Sequence, residues 1–317
     1  MLKHLILMMW IVMFPLWPAS SFAEEILPLP VSEYSIIDGV YFYEHILVYY
    51  PPENSGSIYF VPEGTIGITS DAFRDAIHLE YIHIPSSCRY IGVEKKANEC
   101  TRAYLSMPEA GQFQGYYVES TNDWFTSIDG VLFSKDTTTL YQFPNNSMLN
   151  SYSIPEGVTT IAPYAFMSTN LQFVSLPKSL VCIGEKAFYH ASIRGITLPS
   201  QLRVIAREAF AASNLDYVHL PDGLRVIADS AFEGCNLTCV TLPSSLEYLG
   251  TFAFFGNPVD EGSIVELPES LKYIGDDIFL FGVSSWEVWT PTYGVTPDTV
   301  GHTWADKNGY PYFFIDK

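Results

Sequence analysis

The chain is predicted to be a solenoid, β-rich, with short helical or irregular connections and turns of about 22 residues. Three observations predict it. An apolar residue followed by proline recurs at Pro155, Pro177, Pro199, Pro221, Pro243 and Pro268. An Ala-Phe pair recurs at Phe166, Phe188, Phe210, Phe232 and Phe254, with Ile-Phe at Phe279. The two anchors keep phase, each step being 22 residues until the last, which is 25. Self-similarity at this period marks one supersecondary unit copied in tandem, each copy relying on its neighbours to bury its apolar face. Inside one unit the apolar positions are Leu171, Val174, Leu176, Leu180, Ile183, Ala187 and Phe188. Their mixed spacing suits neither a long amphipathic helix nor an ordinary hairpin.

Residues 1–23 read as a secretory signal peptide. Lys3 supplies the positive start, Leu5 to Trp17 is largely apolar, and Ser21-Phe22-Ala23 before Glu24-Glu25 has the small-x-small cleavage order. A membrane anchor is the competing reading, but Pro15 and Pro18 interrupt a run shorter than the roughly 20 apolar residues a span requires. The expectation is a mature chain that begins at Glu24, is secreted or held at the cell surface, and has no transmembrane span. No Cys closely follows the cleavage site and no apolar tail follows the last repeat, so neither lipid attachment nor a C-terminal anchor is expected.

Residues 24–92 are expected to hold an N-terminal cap hairpin and the first repeats. Ile37-Asp38-Gly39-Val40-Tyr41-Phe42 places an Asp-Gly turn between apolar strands, and Val61-Pro62, Ala72-Phe73, Ile84-Pro85 and Ile91-Gly92 follow in repeat order. Across 93–127 the pattern degenerates. Lys95-Lys96 and Glu99 stand where Ala-Phe and a small residue belong, which predicts an irregular excursion over 93–117 with order returning at Tyr117-Val118. Residues 128–281 restart the design with Ile128-Asp129-Gly130-Val131-Leu132-Phe133, a Lys135-Asp136 turn and Leu140 to Pro144, and then run as a regular array. Its strand segments, one per turn over six turns, predict a ribbon on the order of 25 to 30 Å long. Residues 282–317 change composition to Trp286, Trp289, Tyr293, Trp304, Tyr310, Tyr312, Phe313 and Phe314. An open solenoid end exposes backbone and core, so this segment is expected to be a C-terminal aromatic cap, with a short helix over Asp298 to Asn308 stopped by Gly309.

Composition narrows the function classes. Without Lys3 there are 15 basic against 35 acidic residues, a net charge near −20, which opposes binding to nucleic acid or anionic lipid. With 21 Phe, 21 Tyr and only 16% charged residues the chain has ample material for a core. The five Cys, at 88, 100, 182, 235 and 239, are odd in number and lack paired short spacing, so they signal neither a disulfide framework nor a zinc site. Cys235 shares its repeat position with Thr169, Ala191 and Ser213, which reads as a small buried residue with a free thiol.

The unit Leu171-x-x-Val174-x-Leu176-Pro177-x-x-Leu180-x-x-Ile183-Gly184-x-x-Ala187-Phe188 resembles the bacterial surface-antigen type of leucine-rich repeat, the BspA-like family. The run Val118 to Asn122 followed by Asp129-Gly130-Val131-Leu132-Phe133-x-Lys135-Asp136 is similar to the element that starts a block in that family, and Trp304-Ala305 through Asn308-Gly309-Tyr310-Pro311-Tyr312 to its C-terminal cap. The resemblance covers roughly 36–317 and departs chiefly at 93–117. It implies a leucine-rich-repeat solenoid, export, and roles in adhesion or host-protein binding, with no defined ligand.

The strand segment offers the candidate binding surface. Its outward columns are Tyr81, Ser151, Phe173, Gly195, Tyr217, Cys239 and Ile264, and His83, Ser153, Ser175, Thr197, His219, Thr241 and Glu266. Large aromatics facing outward either pack laterally on one another or meet a partner, and Tyr is suited to the second because it brings contact area with little entropy loss. The candidate binding residues are Tyr81, His83, Phe173, Tyr217 and His219, with an extracellular protein or glycoprotein as partner. No catalytic residue, metal site or cofactor is expected. Stacking separates His83 from His219 by roughly 19 Å or more, too far to share a metal. Asp38 and Asp129 are explained by their turns, Asp276-Asp277 is explained as solvated loop charge, and no nucleophile motif, phosphate loop or His-rich spacing appears. Two further readings are an enzyme or enzyme-inhibitor scaffold whose active element is 93–117, and a structural surface-layer component.

Overall fold

The computed structural model of the chain describes residues 33–93, 105–107, 111–259, 264–279 and 291–315. The expected signal segment, Lys95-Lys96, Glu99, Trp286 and Trp289 lie outside the described residues.

The chain winds as a β-solenoid whose regular turns are joined by three ladders of backbone hydrogen bonds. The first ladder is the expected strand segment: Ser151–Ser153, Phe173–Ser175, Gly195–Thr197 and Tyr217–His219 pair in parallel, in register, Phe173 with Gly195 and Gly195 with Tyr217. Proline two residues after each strand withholds the next donor and ends the pairing. The second ladder lies where only a connection was expected. Thr160–Ile161, Cys182–Ile183, Val204–Ile205, Val226–Ile227, Tyr248–Leu249 and Tyr273–Ile274 pair in parallel. With Thr139–Gln142, Val131–Ser134 and Phe125–Ile128 they form a nine-stranded sheet. Two-residue strands show no period in sequence, but their β-branched and aromatic residues, such as Val204-Ile205 and Tyr273-Ile274, suit a pleated surface.

The third ladder is made at the Ala-Phe corner. The N–H groups of Lys186, Phe188 and His190 donate to the carbonyls of Arg207, Ala209 and Ala211 one turn on, at 3.0, 2.7 and 3.1 Å. Lys186 and His190 hold φ of 54° and 55°, and Glu208 and Ala212 repeat this at 53° and 54°. Left-handed conformation at non-glycine residues costs roughly 1–2 kcal/mol each. Alternating hands aim every second N–H at the next turn, and that pairing of buried backbone offsets the cost. Beneath this corner Phe166, Phe188, Phe210, Phe232, Phe254 and Phe279 stack with centroids 4.8 to 5.1 Å apart and planes within 5° of parallel. All six are buried.

Each block opens with a three-stranded antiparallel meander. In the first it is Ser35–Ile37, Val40–Tyr43 and Ile46–Tyr49, and in the second Phe125–Ile128, Val131–Ser134 and Thr139–Gln142. Asp38-Gly39 and Asp129-Gly130 turn with positive φ at both residues, as a two-residue hairpin requires. The meander also seats the stack: the N–H groups of Tyr50 and Phe143 each donate at 2.8 Å to Ala72 and Ala165, and Phe143 lies 5.3 Å from Phe166.

Three expectations need correction. Within 93–117, where an excursion was expected, Leu105, Met107, Phe113 and Tyr116 are core, buried in the first block beside Phe73 and Leu132, while Gln112 and Tyr117 are exposed. The buried Gln142 amide explains it, since its Oε1 accepts from Leu105 N–H (3.0 Å) and Tyr116 O–H (2.8 Å) while its Nε2 donates to the Leu105 carbonyl (2.8 Å). Order returns with the strand Gly115–Val118, two residues earlier than expected. The outer ribbon is not one strip of six turns. Thr238–Thr241 form no strand, and the next turn, three residues longer, pairs its strand Ile264–Glu266 with Thr292–Val295 instead. The cap helix is Val300–Asn308, shorter than expected because Thr299 is its N-cap; Gly309 closes it at φ 69°. Trp304 Nε1 donates to the Gly275 carbonyl at 2.9 Å, fixing the helix across the last turn.

Candidate interaction surface

Along a strand alternate side chains leave the same face, so register decides which columns meet outside the core. In the first block Ile58–Phe60, Tyr81–Ile84 and Gly115–Val118 form a separate parallel ladder that aligns Ile58, Tyr81 and Gly115 in one row and Phe60, His83 and Tyr117 in the next. The Phe60 and His83 rings lie 5.1 Å apart. Tyr81 leans toward Tyr117, at 5.2 Å, where Gly115 leaves the row empty. In the second block the outward positions are mostly Ser, Thr and Gly. Phe173 and Tyr217 flank Gly195, and the Tyr217 ring covers that glycine so closely that a Cβ there would fall 2.5 Å from it.

The five sequence-predicted residues therefore fall into two groups. Tyr81 and His83 sit together in the first-block ladder, while Phe173, Tyr217 and His219 sit in the second. Ile58, Phe60 and Tyr117 complete the first group and were missed by the sequence reading. Phe60 precedes Val61-Pro62 as His83 precedes Ile84-Pro85, so extending the column one turn back would have found it. Exposure separates contact rings from packing rings: Phe60 is 64%, Tyr117 52%, Phe173 56% and Tyr217 63% exposed, whereas Tyr81 and His83 are half-buried against their neighbours.

The polar groups elsewhere are explained by structure. Thr169, Ser213, Cys235 and Asn257 form one internal column. Thr169 donates to the Phe166 carbonyl at 2.9 Å, Cys235 Sγ to the Phe210 carbonyl at 3.1 Å, and Asn257 Nδ2 to the carbonyls of Phe232 and Phe254 at 2.7 and 2.9 Å. Burial pushes the Cys235 thiol up to about 11, away from a reactive thiolate. Cys182 and Cys239 are also free. Asp277 accepts from the Tyr310 hydroxyl at 3.2 Å and belongs to the cap. Among the described residues no group of three or more His, Cys, Asp and Glu is placed to hold a metal, and no helix is long and apolar enough to cross a membrane.

Residues 53–110, 136–260 and 227–284 match the family model described as BspA type Leucine rich repeat region, in six copies. Among solved structures the chain is similar to a leucine rich cell surface protein from Faecalibacterium prausnitzii A2-165, with 23% identity over 65% of this chain and 60% of that one, TM-score 0.47. It is also similar to the pneumococcal vaccine antigen PcpA, with 19% identity over 90% of this chain and 88% of that one, TM-score 0.46. A leucine-rich repeat protein from Eubacterium ventriosum ATCC 27560 shows 19% identity over 64% of this chain and 65% of that one, TM-score 0.39. The chain spans less than two thirds of the Faecalibacterium and Eubacterium proteins. No curated protein matches it.

Proposed function

The chain belongs to the BspA-type leucine-rich repeat family, and from that premise we propose that it is an exported, noncatalytic binding protein that holds an extracellular protein or glycoprotein on its outward strand faces. One observation carries the reading: Phe60, Tyr117, Phe173 and Tyr217 are more than half exposed on strands whose backbones are locked in register. Large rings on a rigid ladder lose little entropy on binding and are the usual anchors of an interface. Tyr81, His83 and His219 complete the two contact groups. Export is supported by Lys3, the apolar run and Ser21-Phe22-Ala23, and adhesion is the role such a surface serves outside a cell. The alternative of an active element in 93–117 loses support at Leu105, Met107, Phe113 and Tyr116, which are core.

The test is capture. Immobilised mature protein is exposed to extracellular-matrix and mucosal glycoproteins, with Phe173→Ala/Tyr217→Ala and Phe60→Ala/Tyr117→Ala variants in parallel. Retention by the wild type that is lost in either pair supports the reading. A partner held equally by wild type and both pairs would place binding elsewhere.

A further inference from the structure

The first-block ladder carries a second feature beside its aromatic rows. Its three strands run out, on the same side, at Glu63, Ser86 and Glu119. Ser86 links the two carboxylates: its hydroxyl donates to Glu63 Oε1 at 3.0 Å and its N–H to Glu119 Oε2 at 3.0 Å. Glu63 follows Phe60 by three residues and Glu119 follows Tyr117 by two, so the acidic row lies against the row of Phe60, His83 and Tyr117. Among the described residues neither carboxylate forms an ion pair. Lys135 is taken up by the carbonyls of Ser120 and Asn122. The second-block ladder has no such row on its outward face: its strands lead to Glu156, Lys178, Ser200 and Asp222, with the Lys178 N–H bonded to Glu156.

We infer that this face docks an extended basic peptide segment of a partner protein, with apolar side chains on Ile58, Phe60 and Tyr117 and Lys or Arg cations on the Glu63–Ser86–Glu119 row. The inference rests on the proposed binding role and names the chemistry of its partner. Charge complementarity selects the occupant. Exposed rings offer contact area and cation–π faces, the carboxylates offer acceptors already oriented by Ser86, and the chain's net charge of −19 steers cations toward it. A second copy of this acidic chain is disfavoured by the same charges.

The probe is a short fluorescent peptide of alternating lysine and leucine, titrated against the full chain by anisotropy beside peptides in which glutamate or serine replaces lysine. Only the basic peptide is expected to bind, and more weakly as salt rises. Glu63→Gln/Glu119→Gln should weaken it by about tenfold, and Phe60→Ala/Tyr117→Ala by a similar factor. Glu156→Gln/Glu185→Gln removes the same charge from the second block and should leave binding nearly unchanged. Circular dichroism confirms that each variant is folded. Equal losses in both charge variants, or equal binding of all three peptides, would overturn the inference. Failure of all three peptides to bind, with a glycoprotein still captured through Phe173 and Tyr217, would also overturn it while leaving the binding role standing.

Discussion

The two blocks open with the same meander and then use their aromatic residues in opposite ways. The second block puts phenylalanine inside, in a stack from Phe143 to Phe279, and leaves its outer ladder to Ser, Thr, Gly and the rings of Phe173, Tyr217 and His219. The first block keeps a short, tilted inner cluster of Tyr50, Tyr59 and Phe73 and places Phe60, Tyr81, His83 and Tyr117 outside. A regular interior makes a long rigid array. A degenerate turn, by contrast, frees positions for a concentrated surface. Stability is thus expected to concentrate in the second block and contact chemistry in the first.

The largest effect should come from the stack. Phe210→Ala removes a buried ring contacted on both faces, at 5.0 and 5.1 Å, and should cost about 3 to 5 kcal/mol, read as a lower denaturant midpoint. An unchanged midpoint would remove the stack from the account. Next is the joint between blocks. A Cβ on Gly115 would lie 2.7 Å from the Gly130 Cα, backbone against backbone, so Gly115→Ala should cost about 1 to 3 kcal/mol by forcing the blocks apart. Calorimetry checks this, and separation of one unfolding transition into two would show that the joint couples the blocks.

Smaller changes sharpen the contrast at the surface. The three atoms nearest to a Gly195→Ala Cβ all belong to the movable Tyr217 ring, so stability should shift by less than about 0.5 kcal/mol while the ring is displaced. A drop in melting temperature as large as that of Gly115→Ala would contradict that reading. Smallest of all is the thiol contrast within one turn. Cys239 is exposed and should alkylate promptly at pH 8. Cys235, buried with its pKa pushed up to about 11, should react only as the protein unfolds, which mass spectrometry of timed samples would show.

The period, the Asp-Gly turns, the helix stop at Gly309 and the Ala-Phe core were legible because each depends on residue types that few others can replace. Phe210 fills a fixed volume, Pro221 ends a ladder, and Gly309 takes a left-handed cap. The second ladder was not legible, since Val204-Ile205 and Val226-Ile227 are too short to declare a period. Leu105 and Met107 were hidden for another reason: a single glutamine 37 residues away, Gln142, draws them into the core. At the site, the outward columns were found, but their division into two surfaces depends on the second meander, which lies between the ladder ending at Gly115–Val118 and the ladder starting at Ser151–Ser153, and Tyr117 emerged only with register.

Hydroxyl-radical footprinting of the complex with a captured partner tests the central claim most directly. Tyr248 and Tyr273, stacked at 4.6 Å on the nine-stranded sheet, serve as internal references on the other ladder. The account predicts that Phe60 and Tyr117, or Phe173 and Tyr217, lose reactivity on binding while Tyr248 and Tyr273 do not. Protection of Tyr248 and Tyr273 with all four outer rings unchanged would contradict it and move the interface to the nine-stranded sheet.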